Sequence, residues 1–422
     1  MNTEPPFETE GQRDVVVIGG GPAGGTTAAL LAEKGLDVLL VEKEEFPRFH
    51  IGESLMTETW WVLDRLGLVE WLKTTAFPRK HSVQFIAECG KPSKPFYFYK
   101  TNKHESATTW QVERSVFDSK VLEVAAANGA EIRHGVKGKK LLFGPEGQAT
   151  GVRVEQGGQL VDLPAKVTVD ATGLGALAGR QMKLIRQDPR LMKAAIFGHY
   201  RGAHRDEGID EGATLIVHAA NNTGWFWYIP LSDDRVSVGV VGNPGDLLKG
   251  RGSPEEIIAE EIDRSPPMRD RLAGASLCSD VRAISDFSYR ATRCAGDGWV
   301  LVGDAFGFVD PVYSTGLFLA LKSGAMAADS IGEALAEGDL QGNKLGSFAP
   351  ALVQGIEAMR KLVYAFYTPG FSFADFVREH PEHGERLVDL LTGNVFKEGV
   401  TDIFEDMKEF CDLPEELPLE TG

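Results

Sequence analysis

Cysteine is scarce in this chain and poorly placed for structural work, with only Cys89, Cys278, Cys294 and Cys411 among 422 residues. They form no CxxC pair and no zinc-type spacing, so neither a disulfide framework nor a zinc site is expected, and a reducing compartment fits best. Positive charge is also in short supply. With 44 Lys and Arg against 61 Asp and Glu, the formal charge of -17 repels phosphate backbones and anionic headgroups, which argues against nucleic acid and membrane as partners. Uninterrupted apolar runs are missing too: the most apolar late stretch is broken by Asp304, Asp310 and Lys322, and the start MNTEPPFETEGQR is acidic with no secretory h-region. A soluble cytoplasmic protein is expected. His380 and His383 are a close histidine pair, but Pro381 between them breaks the helical face a metal pair needs, so no metal is assigned. No GxSxG or paired carboxylate points to hydrolysis.

What is present begins at Asp14. DVVVIGG reads as a buried strand, Thr26 to Lys34 as a helix, and LDVLLVE as a second strand ending at Glu42, which completes a βαβ unit. Gly19, Gly21 and Gly24 give GxGxxG between strand and helix, the context that separates a dinucleotide fingerprint from a chance match. The first glycine allows the tight turn, the second lets a pyrophosphate reach the backbone, and the third lets helix and strand pack. The helix start supplies free N–H groups and a positive dipole end to the phosphates, and Ala23, inside the glycine turn, is counted with the cofactor contacts. Glu42, followed by Lys43, is placed to accept hydrogen bonds from a ribose, and a carboxylate there would repel the 2′-phosphate of NADP. FAD is therefore the expected cofactor. No second GxGxxG follows, so reducing equivalents must arrive transiently at the flavin or from another protein.

Further buried strands are expected at Glu131 to His134, Val167 to Gly173 and Trp299 to Gly307, with a helix over Val116 to Asn128, all compatible with one sheet. Gly212 to Gly242 differs. Its strands, joined by a polar turn at Ser232 to Arg235 and alternating at Val236, Val238 and Val240, predict an antiparallel region inserted into a discontinuous nucleotide-binding domain. The expected fold is α/β: a Rossmann-like FAD-binding domain from 10–80, 105–185 and 282–340, a β-rich substrate domain from 81–104 and 186–281, and a helical C-terminal region over 341–422. The last ten or so residues are expected to fray. In GDAFGFVDPVYSTGLFLALKSG, Asp304 can accept from a ribityl chain, and the helix opening at Ser314, Thr315, Gly316 and Leu317 can turn amides toward a flavin edge or a small anion, with Ser314 as N-cap.

GGGPAG with Glu42, DATG at Asp170 to Gly173 and Gly303-Asp304 together resemble the p-hydroxybenzoate-hydroxylase-type FAD superfamily over roughly Asp14 to Ala336. Gly52-Glu53-Ser54 and Trp225-Phe226-Trp227-Tyr228-Ile229-Pro230 resemble the flavin-dependent halogenases, whose WxWxIP marker is matched in full. The resemblance implies use of reduced FAD, oxygen and chloride or bromide to make hypohalous acid, which travels to a lysine beside an electron-rich aromatic or carrier-bound substrate. It implies that Lys80 is that lysine, that Thr315 and Gly316 bind halide, that Trp225 and Trp227 wall the substrate off from the flavin, that Arg114 lies near the pyrophosphate or ribityl chain, and that a separate flavin reductase feeds the enzyme. Tyr313 stands where tryptophan halogenases carry a glutamate, which is more like the branch acting on phenols, pyrroles or carrier-tethered substrates.

On residue type alone, Lys80 reads first as a solvated loop charge beside Arg79 and the two indoles read first as core filler; the surrounding motifs are what favour their roles in the site. Three other readings compete: an FAD-dependent reductase of the geranylgeranyl-reductase kind, with a long apolar cavity and an idle Lys80; a single-component aromatic monooxygenase; and a flavoprotein that keeps FAD without turnover.

Overall fold

The computed structural model describes residues 11–420; the acidic opening Met1–Glu10 and Thr421–Gly422 lie outside the described residues. The βαβ unit forms as its sequence dictates, with strand Arg13–Ile18, helix Pro22–Glu33 and strand Val38–Val41. The helix starts four residues before the expected Thr26, because Gly21 is extended at its N-cap and Pro22 supplies a preset φ in the first turn. Around this unit the first sheet runs in the order Ala295–Gly296, Trp299–Leu301, Gln159–Asp170, Arg13–Ile18, Val38–Val41, Glu131–Arg133. Along this order every pair is parallel except the short edge pair Ala295–Gly296 with Trp299–Leu301. Helices Pro22–Glu33, Arg114–Ala127 and Thr315–Glu337 pack together beside the sheet. The strand expected near Val167 proves to be twelve residues long, and its first half pairs antiparallel with Ala149–Gln156, which in turn pairs with Val136–Phe143.

The second sheet has the order Ser276–Leu277, Ala194–Arg201, Arg235–Gly242, Gly224–Pro230, Thr214–His218, Ser82–Ile86, Phe96–Tyr97. It is antiparallel apart from Thr214–His218 with Ser82–Ile86, which run parallel. Strand alternation assigns its two faces to different cores. Trp225, Trp227 and Ile229 join the large core shared with the first sheet, while Phe226, Tyr228, Val236, Val238 and Val240 pack with Ile257, Ile258 and Ile262 of helix Pro254–Arg264. Both faces are therefore covered, and the sheet is held between the nucleotide-binding unit and its own helices.

The expectation of a frayed tail is overturned for the described residues. Lys361 Nζ reaches Glu416 at 2.9 Å, Glu420 N donates to Thr292 O at 2.7 Å, and the guanidiniums of Arg290 and Arg360 donate to the carbonyls of Leu417 and Glu415. Arg290 and Arg360 belong to a buried ion cluster with Glu357 and Asp188, so their spare donors require acceptors and the tail backbone provides them. Among the described residues no helix is long and apolar enough to cross a membrane, and the four cysteines are free.

Candidate functional site

Two cavities meet at the junction of the sheets. The larger, of about 920 Å³, is lined by Gly19, Gly21, Ala23, Glu42, Lys43, Arg114, Asp304, Gly316 and Leu317, nine of the ten cofactor residues expected from sequence. The tenth, Gly24, lies behind the turn. A Cβ on it would come 2.0 Å from Gly19 O, which is the close helix–strand approach its motif position demands. Gly19 itself has φ +109, a conformation that costs glycine little. Glu42 is buried and accepts from Gly20 N at 2.6 Å and Glu44 N at 2.9 Å, which points its carboxylate at the cavity rim while leaving further lone pairs for ribose hydroxyls. Asp304 sits on the wall, its acid pushed up to about 6 by burial and pulled the other way by the Arg114 guanidinium.

Arg114 is committed largely to protein. Its guanidinium grips Asp118 through Nε and Nη2 at 2.8 and 2.9 Å, and Nη1 donates to Ile51 O at 2.7 Å and Gly52 O at 3.2 Å, so it anchors the Gly52-Glu53-Ser54 loop. The freer cation is Arg48, which sequence reasoning missed. It lines the same cavity and stacks over Phe46; its buried Nη1 lies 3.3 Å from Asp118 without making a hydrogen bond, and its Nη2 lies toward Gly21, where phosphates would lie. Its only sequence signal is a base six residues after Glu42. Glu53 on this cavity was named only as part of a motif; it meets His199 at 2.7 Å, and its second oxygen has no partner.

Of the indoles, Trp227 lines the large cavity, with its ring over Gly239 and its Nε1 donating to Ser237 at 3.1 Å. Trp225 lines neither cavity and packs edge-on against Phe366, its Nε1 donating to Tyr367 Oη at 2.8 Å. Tyr367 in turn donates to Asp310 at 3.0 Å, a carboxyl that also accepts from Val312 N at 2.9 Å and is pushed up to about 7 by burial. This chain pins the turn before Ser314 to the indole strand and to helix Ala349–Tyr367. Ser314 departs from its expected capping role. It is left-handed at φ 59 and its side chain caps nothing, so the first amides of helix Thr315–Glu337 are not claimed by its hydroxyl. Ser314 and Gly316 reach the large cavity, whereas Thr315 is buried and lines neither.

The second cavity, of about 570 Å³, shares only Ser314 and Thr214 with the first. Lys80 is its sole formal charge, among Phe85, Phe96, Phe98, Tyr313, Phe366 and Phe371. The short strand Arg79–Lys80 alternates: Arg79 is exposed while Lys80 is 2% exposed, which removes the loop-charge reading. Lys80 Nζ donates to Ser54 Oγ at 2.9 Å and Leu55 O at 3.1 Å, and burial pulls its ammonium down to about 7 with no carboxylate opposing. Ser54 Oγ lies 3.0 Å from Thr214 Oγ1, which accepts from Gln111 Nε2 at 2.8 Å; the same nitrogen donates to Gly212 O at 2.9 Å, which fixes the amide's orientation.

A hydroxyl wire thus joins Lys80 to the large cavity. With Lys80 neutral, Thr214 donates to Ser54 and Ser54 to Nζ. With Lys80 charged, Nζ donates to Ser54, Ser54 to Thr214, and the Thr214 hydroxyl hydrogen turns toward the large cavity. Outside the lining of both cavities, His380, Glu382 and Asp406 bring ligand atoms within 4.8 Å of one another. The sequence argument from Pro381 overlooked Asp406, which a separate helix supplies, although His383 already bonds that carboxylate at 2.6 Å.

The FAD binding domain family profile matches residues 12–341. The chain is 36% identical to a 1H-pyrrole-2-carbonyl-(peptidyl-carrier protein) brominase of Pseudoalteromonas luteoviolacea, over 76% of this chain and 78% of that protein. It is 29% identical to the corresponding chlorinase of Pseudomonas fluorescens, over 96% and 94%. Among solved structures, a flavin-dependent brominase superposes with TM-score 0.85 at 31% identity, covering 95% of this chain and 99% of that one. A myxobacterial chondrochloren halogenase superposes with TM-score 0.80 at 29% identity, over 95% and 97%.

Proposed function

This chain belongs to the flavin-dependent halogenases, using FAD and halide, and on that premise we propose that it halogenates an uncharged, electron-rich ring such as a pyrrole carbonyl, presented as a carrier-protein thioester in the Lys80 cavity. The reductase alternative is not favoured by these relatives. One observation carries the proposal: a desolvated lysine is the only formal charge of an aromatic cavity that touches the cofactor cavity through two hydroxyl residues. No second cation or carboxylate lines it to hold the ammonium and carboxylate of a free amino acid, whereas a thioester-linked acyl ring carries neither.

The large cavity fits FAD by its unclaimed helix amides, the Arg48 guanidinium whose buried Nη1 makes no hydrogen bond, and the half-satisfied Glu42. Gly21, Ala23 and Arg48 hold the pyrophosphate, Glu42 and Lys43 the adenosine ribose side, and Asp304 the ribityl chain, with Arg114 keeping the adjoining loop in place. When bound and reduced by a separate flavin reductase, FAD supplies the chemistry that turns halide and oxygen into hypohalous acid. Gly316, the one member of the expected halide pair that lines this cavity, holds the halide beside it, and Trp227 keeps an organic ring out. Ser314 and Thr214 flank the passage to Lys80. There the ammonium donates to the hypohalous oxygen, so the ring carbon bonds to halogen as the O–X bond breaks. The displaced hydroxyl, with the proton lost by the ring, leaves as water.

The test is single-turnover halogenation: enzyme with anaerobically reduced FAD, then oxygen with chloride or bromide, and a pyrrole-2-carbonyl thioester. Halide-dependent halopyrrole is expected, together with NADPH oxidation by the purified chain no faster than an oxidase background. Rapid NADPH turnover by the chain alone, or a hydroxylated product independent of halide, would overturn the proposal.

A further inference from the structure

The lysine cavity is roofed by a hairpin whose two sides differ in character. Val83, Phe85, Phe96 and Phe98 face the cavity. From Arg79 to His104 the chain carries Arg79, Lys80, Lys91, Lys94, Lys100 and Lys103 against the single Glu88, a positive segment in a protein of formal charge -17. Lys91 and Lys94 occupy the turn between Ser82–Ile86 and Phe96–Tyr97, Lys100 and Lys103 follow the second strand, and all four are exposed. Nearby Lys73 is consumed by Glu70 and Glu105, but among the described residues none of these four pairs with a carboxylate. Lys100 Nζ lies 5.1 Å over the Tyr97 ring, and Lys103 Nζ donates to the Tyr99 carbonyl at 3.1 Å.

Aromatic anchors stand in the same patch. Tyr99 is 41% exposed and Trp61 48%, and Trp61 stacks on His104 at 5.1 Å. Exposed Tyr and Trp supply the anchors of an interface centre, and the unpaired lysines around them supply the charge complementarity of its rim. Lysines also guard a sheet edge against mispairing, yet the edge strand here is only Phe96–Tyr97, and Lys100 and Lys103 lie beyond it. The opposite rim, from helix Phe373–Glu379 onward, carries Asp375, Glu379, Glu382 and Glu385 against Arg378 and Arg386, so it is net acidic where the hairpin is net basic, and an anionic partner is drawn to the hairpin.

We propose that this hairpin is the docking surface for an acidic carrier domain, whose phosphopantetheine arm passes Phe96 and Phe98 to bring its acyl ring to Lys80. The proposal rests on the carrier-tethered reading above. Electrostatic steering of this kind acts chiefly on encounter and is weakened by salt.

The experiment uses the full-length FAD-loaded enzyme and its charge-reversed variant K91E/K94E/K100E/K103E. The probes are an acidic peptidyl-carrier protein loaded with pyrrole-2-carbonyl and the carrier-free N-acetylcysteamine thioester of the same acid. The variant is expected to raise the KM for the loaded carrier by ~10-fold or more and to remove its salt dependence, with thioester turnover and FAD content within twofold of wild type. An unchanged carrier KM overturns the docking surface alone. A wild-type enzyme that turns over the thioester and ignores the loaded carrier overturns the tethered-substrate reading and the surface with it. If the variant loses both activities, neutral K91Q/K94Q/K103Q separates folding from docking: a carrier KM raised about threefold with intact thioester turnover supports the proposal, and no rise overturns it. Loss of binding to anionic vesicles or RNA in place of the carrier would assign the patch to another partner and overturn it as well.

Discussion

The flavin cavity and the lysine cavity adjoin, yet they are assembled by opposite means. The first takes its polar contacts from turns and helix starts of one nucleotide-binding unit, where glycine conformation and unclaimed amides do the recognition. The second has one charge and many rings, and its walls come from chain segments as far apart as Met56 and Thr392. Backbone geometry therefore sets what the first holds, while side-chain packing sets what the second admits. Chemistry on the cofactor and choice of substrate can be altered separately, provided the two shared residues are left alone.

That separation can be broken or sharpened by experiment. Lys80→Ala is expected to lower halogenated product by ~10³-fold, with FAD content unchanged by absorbance; product at the wild-type rate would remove the lysine from the reaction. Gly24→Val is the counterpart on the other side. With Gly19 O 2.0 Å from the new Cβ, the turn must open, and a loss of about 3 kcal/mol in stability with FAD-free protein is expected from denaturant titration and flavin absorbance. Thr214→Val tests the shared wall. It cuts the hydroxyl wire and strands Gln111, so a roughly tenfold fall in kcat with little change in FAD affinity is expected; a fall confined to KM would show packing instead.

Smallest is a thermal effect. The folded ammonium of Lys80 titrates near 7, below its ordinary value of 10.5. The unfolded chain thus holds the extra proton between those values, and the cost of burying the charge is felt in full below about pH 7 and relieved as pH rises toward 10.5. Lys80→Met is therefore expected to raise Tm by a few degrees at pH 6, and by less at pH 9.5. An equal gain at both pH values would mean that the lysine is solvated.

The flavin half was legible because its requirements are local: a strand, a glycine turn, a helix and Glu42 fall within one short stretch of chain. The WxWxIP string was equally readable as alternation, and the structure does send Trp225 and Trp227 to one core and Phe226 and Tyr228 to the other. Period alone could not tell which indole reaches a cavity, since that depends on Phe366 and Tyr367 more than a hundred residues later. The same limit hid Thr214 and Gln111, which look like ordinary strand and loop residues until folding brings them to Ser54. Ser314 was misread because capping preference is a statistical property of residue type, whereas its left-handed backbone is imposed by the Asp310 turn. The tail was misread because its acidic, proline-containing composition gave no sign of two buried arginines waiting for its carbonyls.

Met56 contributes to the wall around Lys80. Its thioether is softer and more readily oxidised than any phenylalanine there, so on the proposed reaction hypohalous acid that finds no acceptor ring would give its oxygen to the sulfur, leaving a sulfoxide and halide. The catalyst would then have a working lifespan measured in wasted turnovers, and starving it of substrate would age it faster than running it.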